Sequence, residues 1–257
     1  MELAAREQFS GPESLRIAGK VRREPGAPSP FNDGVFLPYL SPVTSFDTIS
    51  GKETTPWCMS RGKRALDIAI VLFSLPILAP LMLLAAAAIF IESPGPVIFR
   101  QFRTGLMGQR FRIMKFRTMV MDAEKLKASL MHLNEKAADS PDFSLEDDPR
   151  VLRVGKFLRR TSIDEIPNLF NVLLGHMSIV GPRPTSFDVT TYKDWHLLRL
   201  LVPPGITGLW QISGRKEIDF DERVALDYKY IKNQSMFLDL KILLTTPFCI
   251  FKGRGAN

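Results

Sequence analysis

Cysteine and histidine are scarce in this chain. Its 257 residues include two Cys, Cys58 and Cys249, 191 positions apart, and three His, at His132, His176 and His196. The first scarcity excludes a disulfide-rich scaffold and a Cys-ligated zinc site. The second, with no H-E-x-x-H present, argues against a His-based metallohydrolase. A P-loop is missing too, because Lys20, Lys52, Lys63 and Lys156 follow Gly but precede neither Ser nor Thr. No G-x-G-x-x-G follows a strand, so ATP- and NAD-fold readings lack support. MELAAREQFS, the first ten residues, holds no apolar core of a signal peptide, and no internal repeat is apparent.

Charge is present in ordinary amount but distributed unevenly. Lys and Arg number 34 against 27 Asp and Glu, and charged residues make up 24% of the chain, which rules out wholesale disorder. Residues 61–120 carry nine basic and two acidic side chains, so the net excess of +7 sits in that block. The same block holds the most apolar stretch. A basic, apolar segment points first to an anionic membrane surface and second to phosphates; nucleic acid is a further polyanion that net charge alone does not separate. Residues 1–60, with seven of the 19 Pro, read as a mostly disordered tail.

From Ile68 to Ile91 no charge occurs: IAIVLFSLPILAPLMLLAAAAIFI. As a helix these residues reach about 36 Å, enough to cross a hydrocarbon core of about 30 Å. Pro76 and Pro80 lie mid-segment, four apart, where each removes a backbone bond and favours a bend. Arg61, Lys63 and Arg64 precede the stretch, and Arg100, Arg103, Arg110 and Arg112 follow it. Basic flanks at both ends cannot orient a single span but fit a hairpin that enters and leaves on one face. The segment is therefore expected to be a re-entrant helix–break–helix, with a plain spanning helix as the alternative. Beyond it, Val97–Phe99 reads as a short strand, residues 122–138 as an exposed amphipathic helix, and residues 151–175 as two short helices. Residues 220–232 read as a helix opened by a capping box of Asp219 and Glu222. The apolar stretch from Met236 to Phe251 reads as a helix lying in the membrane interface.

The stretch richest in chemistry is Arg159-Arg160-Thr161-Ser162-Ile163-Asp164-Glu165-Ile166-Pro167-Asn168-Leu169-Phe170-Asn171-Val172-Leu173. Ile166, Leu169, Phe170 and Leu173 have helical spacing, and Ser162 and Glu165 have capping-box spacing. Asp164 and Glu165 are then expected at a helix N-terminus, where partial positive charge keeps a carboxylate ionised. An ionised Asp beside basic residues suits attack on phosphorus, and an adjacent Glu suits Mg2+; acids in a first helical turn are also ordinary caps. Arg183, fixed between Pro182 and Pro184, suits a phosphate or is a surface Arg in a turn. The run from Pro203 to Arg215 either closes over a nucleotide or is a structural loop pinned by Trp210. Asp219 and Asp221 form a D-x-D that suggests a metal-dependent glycosyltransferase, or a helix cap.

Taken in order, "SPGPVIFRQ", "KFRTM", "DDPRV", "RRTSIDEIPNLFNVLLGHMSIVGPRP" and "PGITGLWQISGR" resemble the bacterial sugar transferases called monotopic phosphoglycosyl transferases, over residues 61 to 252. The small, exopolysaccharide-initiating type fits best, since residues 1–60 contain no second apolar segment. This resemblance implies a mainly α, α+β monotopic membrane protein with a re-entrant anchor, interfacial amphipathic helices and a small strand element. Its expected division is a tail (1–60), a re-entrant helix (61–92) and a cytosolic catalytic domain (93–257). The implied activity moves a hexose 1-phosphate, glucose or galactose, from a UDP-sugar to undecaprenyl phosphate and releases UMP. The implied location is the cytoplasmic face of the bacterial inner membrane, with downstream glycosyltransferases as further partners and no nucleic acid. By motif position, Asp164 is the nucleophile that forms an aspartyl-phosphosugar, Glu165 helps Asp164 hold Mg2+, and Arg159, Arg183, Arg215, Lys115 and Arg117 bind substrate. The family breaks its membrane helix at Ser-Pro. Here the dipeptide is Ala79-Pro80, with Pro76 one turn earlier.

Two other readings of the residues compete with it. One is a membrane-anchored basic module for nucleic acid or anionic lipid. The other is transfer of a bare sugar from Asp219 and Asp221, which would release UDP instead of UMP.

Overall fold

A computed structural model describes residues 56–130, 145, 148–213 and 219–251. Ser60 opens the first helix, α1 (Arg61–Glu92), by accepting from the Lys63 amide. The helix runs unbroken for 32 residues with Pro76 and Pro80 inside it, so the expected helix–break–helix is not seen. Pro76 and Pro80 leave the Leu72 and Pro76 carbonyls without their usual donors, a local cost carried by the remaining bonds of a long helix in an apolar stretch that offers the backbone no other partners. Full burial along α1 falls at Lys63, Asp67 and Val71 near the start and at Ala85 and Ile89 near the finish, with Leu75, Leu78 and Met82 half-buried on the same side between them. Leu72, Phe73, Ile77, Leu83 and Leu84, between them, are bare. Few residues of the apolar stretch are fully buried and its large side chains on the outer faces are bare, unlike the core helix of a soluble protein.

After a turn at residues 93–97 come two strands, β1 (Ile98–Thr104) and β2 (Arg110–Phe116), paired antiparallel from Ile98↔Phe116 to Thr104↔Arg110. The expected strand at Val97–Phe99 is longer than its apolar letters suggest, and its partner falls in the Arg-rich stretch. Alternation explains this: Phe111 and Ile113 point into the core while Arg110 and Arg112 face out. Arg112 stacks over Phe102 across the hairpin at 4.8 Å. Helix α2 (Ala123–Leu130) is the described part of the expected 122–138 helix; residues 131–138 and the 1–55 part of the tail lie outside the described residues.

Two short helices follow, α3 (Arg153–Thr161) and α4 (Asn168–Leu173). Strands β3 (Ser178–Val180) and β4 (Gly205–Thr207) form a parallel pair. Their backbones approach so closely that a Cβ on Gly205 would lie 2.1 Å from the Gly181 amide nitrogen. The glycines of GPRP and PPGITG are therefore demanded by packing. Then come α5 (Leu209–Ser213), α6 (Phe220–Asn233) and α7 (Met236–Phe251). The capping box at α6 forms as expected, with Asp219 accepting from the Glu222 amide at 2.7 Å. The fold is mainly helical, with two small sheets.

One core, with Val71, Phe111, Leu169, Ile179, Tyr230 and Ile242, joins α1, β2, α4, β3, α6 and α7. At its edge lies a buried ionic knot. Lys63 donates to Asp67 at 3.1 Å and to Asp239 at 2.9 Å. Asp239 also accepts from Trp57 Nε1 at 2.7 Å and from the Tyr230 hydroxyl at 2.8 Å. Each buried charge thereby has an opposite charge and hydrogen bonds, the condition for burying it at all. A second cluster (Ala85, Ile89, Phe116, Leu152, Leu158) packs the far end of α1 on α3.

Candidate active site

Asp164 and Glu165 stand on a three-residue 3-10 turn, Ile163–Glu165, between α3 and α4. The local signal promised a capping box from Ser162 to Glu165, and that box does not form. Ser162 takes a left-handed conformation (φ 57°) to end α3, and makes no side-chain cap. Glu165 instead accepts from Lys115 Nζ at 2.6 Å and from Arg183 Nη1 at 2.7 Å, with a second Arg183 bond to Oε1. Two charge-assisted, partly buried contacts outbid one exposed amide. On α4 the buried face is Asn168, Leu169, Asn171 and Val172, while Phe170, expected inside, is exposed.

The surrounding elements explain how these groups meet. Strand β2 carries Lys115, and it is tied to α4 where the Met114 amide donates to Asn168 Oδ1 at 3.1 Å. Asn171 is fully buried and oriented so that its nitrogen faces the Arg112 carbonyl at 3.1 Å. These two asparagines escaped the sequence reading; polar residues every third position inside an apolar helix face were the available signal. Arg183 is set by the turn after β3, and its carbonyl accepts from Arg199 Nη2 at 2.7 Å. Arg199 in turn pairs with buried Asp227 of α6 at 2.7 Å. Neither residue was singled out from sequence.

The other expected site residues divide. Arg159, on the last turn of α3, donates through Nε to Thr118 Oγ1 at 2.8 Å and lies close enough to Asp164 to interact with its charge. Arg117 is directed elsewhere: its guanidinium donates to the Ser93 carbonyl and to Met121 Sδ, fixing the turn after α1. Arg215 lies outside the described residues. Asp219 is occupied as the α6 cap, and Asp221 accepts from Lys193 Nζ at 2.5 Å and His196 Nε2 at 2.9 Å. The D-x-D is therefore a structural pair. Trp210 is covered by Arg223 at 5.2 Å.

The neighbouring acids are driven in opposite directions. Burial pushes the Asp164 carboxyl up to about 6, helped by the negative charge of Glu165 and opposed by Lys115, Arg183 and Arg159. Burial would also raise Glu165, but the adjacent Arg183 and Lys115 hold it well below the usual carboxylate range. Both acids were expected to be kept ionised by a helix N-terminus; burial and ion pairing decide instead. Glu165 is a fixed anion, whereas Asp164 has no hydrogen-bond donor among the described residues. Three cations around two acids leave one positive charge to receive a phosphate. The donor set also suits a hard cation: Asp164 is open, and Glu165 Oε2 accepts a single hydrogen bond, leaving a lone pair. Mg2+ takes one or two such carboxylates and completes its shell with water and phosphate oxygens.

Residues 58–253 match the family model described as "Bacterial sugar transferase". Over 202 residues the chain is 46% identical to the galactosyl transferase CpsE of Streptococcus agalactiae, covering 76% of this chain and 43% of that protein. Over 197 residues it is 41% identical to an undecaprenyl-phosphate galactose phosphotransferase of Salmonella typhimurium, covering 76% and 41%. It is 38% identical to the exopolysaccharide production protein ExoY of Rhizobium meliloti, covering 76% of this chain and 87% of that one. The chain thus spans less than half the length of the first two relatives and most of the third.

Proposed function

We infer that this chain, which belongs to the bacterial sugar transferase family, moves a hexose 1-phosphate from a UDP-sugar to undecaprenyl phosphate and releases UMP, as the first membrane step of a polysaccharide. One observation carries the reading: two sequence-adjacent carboxylates, one locked by Lys115 and Arg183 and the other open and only weakly acidic. That division suits double displacement at phosphorus. Asp164 attacks the sugar-bearing phosphorus, the bond to the bridging oxygen breaks, and UMP departs with that oxygen. An oxygen of the lipid phosphate then attacks the aspartyl-bound phosphorus, which frees the Asp164 carboxylate and yields a lipid-diphosphate sugar. Downstream glycosyltransferases would take this product as acceptor.

Arg183 and Lys115 hold Glu165 in place and present positive charge to the diphosphate; Arg159 does the same from the α3 side. Arg215 is a further candidate ligand by its motif position. Mg2+, held by Asp164 and the free lone pair of Glu165, would supply charge neutralisation to the leaving phosphate.

The anchor follows the same reading. Helix α1 is long and apolar, and one stripe of it, from Val71 through Leu75, Leu78 and Met82 to Ala85 and Ile89, stays on the catalytic body at both ends and between them while the other faces are bare. A helix crossing the bilayer would carry one end away from that body, so this burial pattern supports re-entry from the cytoplasmic face of the inner membrane. Exposed Met236, Phe237, Leu244 and Phe248 on α7 suit a position at the lipid interface.

The deciding test incubates the detergent-purified protein with undecaprenyl phosphate, Mg2+ and a panel of UDP-sugars. UMP from one donor supports the reading and names the sugar; UDP from any donor, or turnover without the lipid phosphate, overturns it. The open carboxylate adds a pH dependence. Because Asp164 is raised to about 6, it is increasingly protonated, and so not nucleophilic, below that value. The first transfer is expected to be flat near pH 8 and to fall as the pH drops through the range where Asp164 protonates, a fall that bound Mg2+ moves below about pH 6. Single-turnover UMP release from pH 4.5 to 8.5 checks this; a rate constant across the range removes Asp164 as the titrating nucleophile.

A further inference from the structure

Helices α3 and α4 bracket the dyad; α3 has no side-chain N-cap of its own, and α4 ends in a backbone cap at Leu174 and Gly175 with no cationic side chain of its own. Helix α3 begins at Leu152 with no side-chain cap, no acid in its first turn, and a basic residue, Arg153, as its first member. Helix α4 ends with no basic residue in its last turn. Both deficits are met from one distant element. Glu92, the last residue of α1, accepts from the Arg153 amide at 2.7 Å and the Val154 amide at 2.8 Å, 61 and 62 positions along the chain. Arg64, in the first turns of α1, donates to the Leu173 carbonyl at 2.8 Å and to the Val172 carbonyl.

Each charge also matches the helix end it meets: an anion at the N-terminus of α3 and a cation at the C-terminus of α4. Between these two grips lie Arg159, Asp164 and Glu165. We propose that Glu92 and Arg64 are positioning residues for the dyad, through which α1 clamps the α3–turn–α4 segment at both ends and sets where Asp164 stands relative to the anchor. The proposal rests on the transferase reading for its catalytic consequence, and on the capping geometry alone for its structural one. Neither residue contacts the carboxylates, so releasing either grip should impair attack without impairing donor binding. A shift of the nucleophile by a fraction of an ångström is enough to slow the reaction.

The test compares full-length Glu92→Ala, Glu92→Gln, Arg64→Ala and Arg64→Lys with the parent protein. Each alanine variant is expected to lose about tenfold in kcat while KM for the UDP-sugar stays within about twofold. Glu92→Gln, which keeps an acceptor oxygen, and Arg64→Lys, which keeps the charge, should recover part of the loss. In parallel, hydrogen exchange should quicken across residues 153–170 in the alanine variants and stay unchanged across α6. Parental kcat together with parental exchange over 153–170 would overturn the clamp. So would slowed turnover with parental exchange there. A parent that releases no UMP from any donor would end the transferase reading instead, and the exchange measurement would still decide the clamp.

Discussion

Asp164→Asn is expected to lower UMP release by about 10⁴-fold or more, beneath detection in an ordinary assay. Asn keeps the shape and nearly the volume of Asp but has no anionic oxygen to form the bond to phosphorus. Its neighbour cannot substitute, because Glu165 is committed to Lys115 and Arg183 and is a poor nucleophile for the same reason it is a strong acid. The replacement also removes a buried, weakly acidic group, so the fold should hold or tighten. Intact-mass spectrometry after mixing with the donor alone supplies the check: the parent should gain one hexose phosphate and Asp164→Asn none. Near-normal turnover in the variant would move the nucleophile elsewhere.

The second large effect concerns Gly155, in the first turn of α3. Local preference says that Gly155→Ala should stabilise the helix by about 1 kcal/mol. The tertiary contact says the opposite. A Cβ there would lie 2.2 Å from the Thr118 carbonyl oxygen and 2.9 Å from its carbon, both backbone atoms that no rotamer change can move aside. That carbonyl also receives the Leu152 amide at 3.0 Å, so the contact is the seat of the helix. Displacing it also moves Thr118, the partner of Arg159. Overpacking of this kind is expected to cost about 3 kcal/mol or more, net of the helix preference. Chemical denaturation of the detergent-solubilised protein measures it, and a variant more stable than the parent would show that α3 does not sit on residue 118.

These two positions also mark what the sequence can and cannot disclose. Patterns closed within a few residues were legible: the Asp219–Glu222 box, the apolar run of α1 and the paired acids at 164 and 165. Patterns that depend on remote partners were misread or missed. Ser162 and Glu165 have the spacing of a capping box, but Lys115 and Arg183, 50 and 18 positions away, offer Glu165 stronger bonds. The alternation of Phe111 and Ile113 was hidden by Arg110 and Arg112 beside them, which form the outward face of a hairpin. The prolines of α1 suggested an interruption because each costs a bond locally, whereas the length of the helix absorbs both. Asn168 and Asn171 were announced only by their three-residue spacing in an apolar helix face, since their worth lies in the strand edge they meet.

The ionic knot at Lys63 bears on the order in which the chain is completed. Trp57 and Lys63 reach the ribosome's exit early, yet their shared partner Asp239 lies 182 positions beyond Trp57. Until that residue emerges, Lys63 has Asp67 alone for company, and the Asp239 side of the knot is missing. The apolar stretch of α1 is complete long before α7 is made, but its amino-terminal end gains its last fastening only when α7 docks. A helix made long before α7 is thus among the last elements to be secured, and a chain that stalls before residue 239 would have that helix formed with no finished fold to hold it.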